Sequence, residues 1–238
     1  MKNHVSVRCF TSQTIDALLL EQILSCGQTA SSSSFVQAYS VIRVVDQDRR
    51  ATIAEAAGNQ QWIIEAAEFL VFCADMQRIQ HCCQKEGQGD LQGNTEHFIT
   101  ATVDVALMAQ NVMLAAESAG LGGVFIGGIR NDPRMVSECL QIPEHVYPVF
   151  GMCLGWPQKR GQHKPRLPLK VVLHQDQYEP RDIQQQVHEY DRNMAAYYSE
   201  RGMNAKNTNW STQTALAVQG KKREHMQAFL QQRGFLLR

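Results

Sequence analysis

From Ala101 to Ala116 the apolar residues run nearly all the way round a helical projection instead of keeping to one stripe, which predicts a helix in the middle of a domain. Started near Thr95, that helix is roughly 35 Å long at about 1.5 Å per residue. Gly120 sits where a helix stops with a left-handed residue. Val124, Phe125 and Ile126 then read as a short buried strand, with Gly122 and Gly123 before it and Gly127 and Gly128 after it. Asn131 and Asp132 followed by Pro133 supply the N-cap and first residue of a new helix.

The same reading extends along the chain. Ile15, Leu18, Leu19, Gln22 and Ile23 keep helical spacing, Tyr39 to Val45 predicts a strand, and Asp46 to Ala57 a short helix stopped by Gly58. Ala66 to Ala74 and Tyr147 to Gly155 are strongly apolar strands, the second closed by Trp156-Pro157. Met76 to Asn94 is a polar insertion with three glycines, read as a mobile lid or solvated loop, and Lys170 to His174 is read as another strand. From Asp182 the chain turns helical and polar, with Tyr190, Tyr197 and Tyr198 on Asp182 to Gly202. Arg201, Lys206, Lys221, Lys222 and Arg223 give this tail a basic cast, and it is too weakly apolar to form a core alone, so it is expected to wrap the body or a partner subunit. Strands separated by helices throughout predict an α/β or α+β sheet sandwich.

Composition narrows the function classes. The 238 residues, 44% hydrophobic, suffice for one large domain or a domain with an appended arm. Lys+Arg 23 balances Asp+Glu 23, which argues against a surface built for nucleic acid or anionic membrane. No apolar run reads as a membrane span and the N-terminus lacks a signal-peptide core, so a soluble cytoplasmic protein is expected. Seven cysteines show no framework spacing and are expected to be reduced, and His81, Cys82, Cys83 and His97 match no standard zinc spacing, so no metal is expected.

Glycines on both sides of so short a strand call for a close approach, by a flat ligand or by another backbone, or else mark a tight turn followed by a bulge. A dinucleotide fingerprint fails, because it needs a strand before the glycines and G-x-G-x-x-G spacing, whereas a helix precedes G-L-G-G-V-F-I-G-G here. His4, Ser6 and Arg8 bring three anion-binding side chains to one helix approach, four serines at Ser31 to Ser34 offer hydroxyls, and Gln60 offers an amide to an imide edge. In Lys164-Pro165-Arg166-Leu167-Pro168 the prolines fix the backbone beneath two cations, which favours a phosphate site.

H-x-S-x-R at His4 to Arg8, S-S-S-S-F at Ser31 to Phe35, G-N-Q at Gly58 to Gln60, A-A-E-S-x-G-L-G-G-V-x-I-G-G-x-R-N at Ala115 to Asn131, F-G-x-C-L-G at Phe150 to Gly155 and K-P-R-L-P at Lys164 to Pro168 follow one another over essentially the whole chain. Together they closely resemble the oxygen-insensitive NADPH nitroreductase and flavin reductase family, the group A bacterial nitroreductases. The resemblance implies an α+β nitroreductase fold, with a central mixed sheet flanked by helices, a single FMN domain over 1–238 and a helical arm over 181–238 wrapping the partner of a homodimer. It implies FMN bound at the subunit interface, with His4, Ser6, Lys164 and Arg166 around its phosphate and Arg8 beside the pyrimidine end of its ring. Ser32, Ser33, Ser34 and Gln60 would contact ribityl and ring, and Phe125, Ile126, Gly127 and Gly128 would lie against the isoalloxazine.

The activity implied is hydride transfer from NADPH to flavin, then two electrons to nitroaromatics, quinones or free flavin by a ping-pong mechanism, with no catalytic acid needed. Arg201, Lys206 and Arg223 match basic positions of the family's arm that would hold the 2′-phosphate. The chain departs from the pattern at Val5, where the family usually has a second arginine, at Phe125 for a common tyrosine and at Glu224 for a usual proline. A rival reading follows from Val5, a catalytically weak flavin-binding or sensing module.

Overall fold

The computed structural model describes residues 2–180, 182–201, 205–220 and 223–238, so that Gly202, Lys221 and Lys222 of the expected basic arm lie outside the described residues. The chain divides into two compact units, Met1–Gly161 with Arg223–Arg238, and Gln162–Lys222. The first unit runs α1 (Ala17–Gln28), β1 (Tyr39–Arg43), α2 (Gln47–Ala56), α3 (Trp62–Glu65), β2 (Glu68–Asp75), α4 (Gln77–Lys85), α5 (Thr95–Ser118), β3 (Gly122–Ile126), α6 (Pro133–Cys139) and β4 (Val146–Gly155). The second holds α7 (Leu169–Val172), α8 (Ile183–Glu200) and α9 (Trp210–Gly220), and α10 (Met226–Gln232) belongs to the first again.

The four strands lie in the order β1-β2-β4-β3. The expected α+β class holds, but every strand pairing among the described residues is antiparallel where a mixed sheet is expected. The reason lies in the connections: helices between strands suggest parallel crossovers, whereas α2 and α3 together return the chain to the end at which β1 finished. Buried Arg50 on α2 holds that excursion, donating to the Val44 carbonyl at 2.8 Å and the Ala66 carbonyl at 2.6 Å. Between β2 and β4 the register shifts at Phe72/Cys73, opposite Pro148, which has no N–H to give the ladder.

That bulge keeps Tyr147, Val149, Met152 and Leu154 on one face, where they pack with Leu70 and Phe72 against α1 and α5. Phe69, Val71, Cys73 and Cys153 face the other way, toward α2 and α6. The central helix α5 has 24 residues, about 36 Å at 1.5 Å each, as its pattern predicts. Its burial is one-sided rather than all-round: Ala101, Asp104, Val105, Met108, Ala109, Val112, Met113 and Ala116 are buried, while Ile99, Val103 and Leu107 stand 48%, 49% and 45% exposed. By length and composition α5 is apolar enough to cross a membrane, which corrects the expectation that no run is, although its buried face belongs to the core. Gly120 (φ +87°) ends it, and the Leu121 N–H reaches back to the Ala116 carbonyl at 3.0 Å.

Two local expectations are corrected. Met76 to Asn94 is not a plain loop, because its first half forms α4, and Gln80 and Gln84 close on Asp90 at 2.6 and 2.9 Å. Lys170 to His174 is not a strand: Lys170, Val171 and Val172 lie in the single helical turn α7, begun after Pro168 and closed by Leu173 N–H to the Leu169 carbonyl at 2.8 Å, and Leu173 and His174 follow it.

Candidate functional site

Between β3 and α6 the chain makes one 3-10 turn, Gly127–Asn131, and Asp132 caps α6 by accepting from the Met135 N–H at 3.0 Å. Ile126 is buried, and Phe125 is 37% exposed and meets Phe150 edge-on at 5.2 Å between ring centroids. The close approaches that the glycines predict are present. A Cβ on Gly122 would lie 2.5 Å from Val7 Cγ2, so there the neighbour is another stretch of chain. A Cβ on Gly128 would lie 2.2 Å from Gln60 Nε2 and 2.5 Å from the Ala57 carbonyl oxygen. Gln60 itself donates to that carbonyl at 2.8 Å, so the loop after α2 is packed directly on the glycine turn.

The N-terminal segment runs along β3, with the Val7 N–H donating to the Gly123 carbonyl at 2.9 Å. Because Val7 is buried, its neighbours Ser6 and Arg8 turn outward and are exposed. Arg8 lies over the ring of Trp62 at 5.8 Å, two residues from Gln60. Trp62 Nε1 is buried and has no hydrogen-bond partner among the described residues. Arg8, Trp62, Gln60 and Gly128 thus form one neighbourhood rich in N–H donors, which fits an acceptor-rich flat edge such as the pyrimidine end of a flavin. His4 stands apart: its Nδ1 is 2.6 Å from Glu117 Oε1, in a cavity of about 410 Å³ lined by Asn3, His4, Leu114, Glu117, Ser118 and Arg160.

The serines form a loop of their own. Ser33 and Ser34 open a 3-10 turn with Phe35, Ser32 Oγ accepts from the Gln37 N–H at 3.3 Å, and Ser34, Phe35 and Gln37 take φ of 46°, 59° and 51°. Such left-handed conformations cost about 1–3 kcal/mol each in non-glycine residues and persist where the surroundings impose them. Asp104 imposes them here, accepting from the Ser33 and Ala38 N–H groups. This loop leads into β1, whereas the glycine turn follows β3 at the opposite edge of the sheet. Three strand spacings of about 4.8 Å separate the two edges. In a single protomer Ser32, Ser33 and Ser34 thus stand across the sheet from Gly127 and Gly128.

In the second unit, exposed Lys164 lies over the Tyr198 ring at 5.3 Å and Arg166 donates to the Lys164 carbonyl at 3.3 Å. The Tyr190 hydroxyl donates to the Pro165 carbonyl at 2.8 Å, which ties the basic turn to α8. Arg201 lies over Tyr197 at 5.7 Å, and the Lys206 N–H donates to the Tyr198 carbonyl at 3.0 Å. The residues expected at the two phosphates, Lys164 on one side and Arg201 and Lys206 on the other, thus meet at the tyrosine pair that ends α8. Arg223 belongs to the first unit, where its Nε and Nη2 donate to Asn131 Oδ1 at 3.1 and 3.0 Å.

Residues 1–156 match the nitroreductase family and residues 164–238 match the nitroreductase family C-terminal domain. The chain belongs to the nitroreductase family. It is 40% identical over 236 residues to the oxygen-insensitive NADPH nitroreductase of Salmonella typhimurium, covering 99% of this chain and 96% of that protein. It superimposes on nitroreductase A from Vibrio parahaemolyticus with a TM-score of 0.91 at 42% identity, over 100% and 96% of the two chains. The NADPH:FMN oxidoreductase from Vibrio harveyi, solved in complex with NAD+, gives 0.90 at 41% identity, over 100% and 97%.

Four residues that hold the candidate side chains in place escape the sequence reading. Trp62 carries Arg8, Glu117 holds His4, Asp104 holds the serine loop and Asn131 holds Arg223. Trp62, Glu117 and Asn131 stand within or beside the matched motifs, yet the contacts of Glu117 and Asn131 reach 113 and 92 residues along the chain, where no spacing signals them. Asp104 had a local signal, a lone carboxylate in the apolar run of α5, since a charge so placed is buried only when paired.

Proposed function

We propose that this protein oxidises NADPH by means of bound FMN and delivers two electrons to nitroaromatics, quinones or free flavin in a ping-pong sequence. The observation that carries the reading is the donor set beside the glycine turn: the Gln60 amide lies against Gly128, and Arg8 lies over Trp62, whose indole N–H has no partner among the described residues. Bound FMN would supply the redox chemistry, taking a hydride from the nicotinamide and returning two electrons to an acceptor. The chain's own residues bind and orient. Arg8 places positive charge beside the ring, where it favours the reduced, more negative state. Ser32, Ser33, Ser34 and Gln60 supply hydrogen bonds, and the backbone from Phe125 to Gly128 gives a flat support. His4, Ser6, Lys164 and Arg166 are proposed at the phosphate, and Arg201, Lys206 and Arg223 at the nucleotide.

The reading includes a homodimer. The serine loop and the glycine turn stand at opposite edges of one sheet, and α5 carries the exposed apolar stripe Ile99, Val103, Leu107. A second copy that covers such a stripe and brings its own serines to the turn would complete the site. On this reading the whole chain is one FMN domain, with the 181–238 arm reaching the partner. Free cysteines at all seven positions suit a cytoplasmic setting.

Titration of the apoprotein with FMN and with riboflavin, followed by flavin fluorescence, tests this assignment. The proposal expects FMN to be preferred strongly and the preference to collapse in Lys164→Ala/Arg166→Ala. Equal binding of both flavins by the unaltered protein would contradict the phosphate site.

A further inference from the structure

Two guanidinium groups sit side by side at the end of the glycine turn, and the described residues give neither a carboxylate. Arg130 is half-buried and donates through Nη1 to the Val149 carbonyl, while its Nη2 comes within 3.2 Å of where a Gly127 Cβ would be. Arg223 is also half-buried, and Nε and Nη2 both donate to Asn131 Oδ1. Burial, and then the neighbouring Arg223 guanidinium, hold Arg130 below the ordinary arginine value. Among the described residues Nη1 of Arg223 has no hydrogen-bond partner. Partly buried charge is usually matched by opposite charge. Here, among the described residues, both cations are met by neutral oxygens alone.

The backbone shows that the arrangement is imposed. Arg223 has φ of 42°, in the left-handed region that an arginine rarely adopts. Two residues on, His225 Nε2 lies 3.0 Å from the Arg130 carbonyl oxygen, so the segment entering α10 is fastened to Arg130 and Asn131 at two adjacent points. Asn131 accepts from two guanidinium nitrogens through one oxygen, which fixes the plane of the fork and leaves one edge for a ligand.

We infer that Asn131 is the positioning residue of Arg223, and that Arg130 and Arg223 form a subsite for a phosphoryl group of the nicotinamide dinucleotide, beside the glycine turn. This deepens the proposed function and rests on it. The phosphoryl group has two sources in that ligand, the pyrophosphate that NADPH and NADH share and the 2′-phosphate that NADPH alone carries.

Calorimetry on the oxidised, FMN-loaded protein with NADP+ and with NAD+ separates these cases without turnover. Asn131→Leu should weaken NADP+ binding about ten- to a hundredfold, the range expected when one charge-assisted contact is lost. Loss confined to NADP+ assigns the subsite to the 2′-phosphate, and equal loss with NAD+ assigns it to the pyrophosphate. Asn131→Asp keeps the acceptor oxygen but cancels charge, so it should impair binding while its flavin spectrum stays that of the unaltered protein. In a double-mutant cycle with Arg223→Lys, Asn131→Leu should add little once Arg223 is changed, because the two act as a unit. Strictly additive effects, or unchanged NADP+ and NAD+ affinity in Asn131→Leu, would overturn the inference. If the unaltered holoprotein binds neither nucleotide, the proposed function fails before the subsite is reached.

Discussion

Asp104, wholly buried on α5, holds the Ser33 N–H at 2.9 Å with one carboxylate oxygen and the Ala38 N–H at 3.2 Å with the other. One side chain thus closes the serine loop from both ends. Asp104→Ala would strand two N–H groups and should destabilise the fold by about 2–4 kcal/mol, whereas Asp104→Asn keeps one acceptor and should cost about half as much. Urea unfolding of the two variants checks this order, and equal, negligible losses would show that the loop holds its shape without the carboxylate.

The two glycines after β3 should differ. At Gly128 an added methyl meets the Ala57 backbone oxygen at 2.5 Å, which does not yield, while at Gly127 it meets only the end of the Arg130 side chain at 3.2 Å. Gly128→Ala should displace the Gln60 loop and lower FMN affinity at least tenfold, and Gly127→Ala should leave the melting temperature nearly unchanged. FMN titrations and thermal melts of both proteins measure the difference. The reverse order would mean that the Gln60 loop is not packed on the turn as described.

Much of this architecture is legible in the sequence because its signals are local. The length of α5, its stop at Gly120, the strand Gly122–Ile126 and the Asp132-Pro133 helix start each follow from a few adjacent residues. Lys170 to His174 is misread because β-branched residues mimic a strand, while the turn after Pro168 takes them into α7. One-sided burial of α5 is equally invisible in a pattern apolar on most sides, since only the packing partners decide which residues stay at the surface. Several candidate ligand residues, among them His4, Arg8, Lys164 and Arg166, stand out by residue type, but their roles around a flavin come from the resemblance. The residues that hold them, Asp104, Glu117 and Asn131, act across 66 to 113 positions and emerge only from the folded chain.

Alkaline pH should weaken the fold in a predictable window. Burial pushes the Tyr147 hydroxyl up to about 12 from 10.0, against the opposing effect of its hydrogen bond with Thr102. The unfolded chain loses this proton first, so the stabilisation is complete below pH 10 and declines as pH rises through 12, by about 2–3 kcal/mol in all. Burial likewise raises the Cys73 and Cys153 thiols, whose contribution begins to fall near pH 9. Urea midpoints of the unaltered protein and Tyr147→Phe, taken from pH 8 to 12, should converge above pH 10. Parallel curves would remove Tyr147 from the account.

Charge on the α5 stripe should separate the copies. Val103→Glu/Leu107→Glu changes two positions that are half exposed in the single chain, so the protomer should still fold. Sedimentation should show a dimer for the unaltered protein and a monomer for the variant, with FMN retention falling alongside. A variant that stays dimeric would move the interface away from this face.

The most direct test of the central claim is the visible spectrum of the purified protein under anaerobic conditions, recorded before NADPH, after NADPH and after a nitrofuran. The account predicts a yellow protein that bleaches with NADPH and regains its colour when the nitro compound is added. A colourless protein that remains inert when supplied with FMN would contradict it.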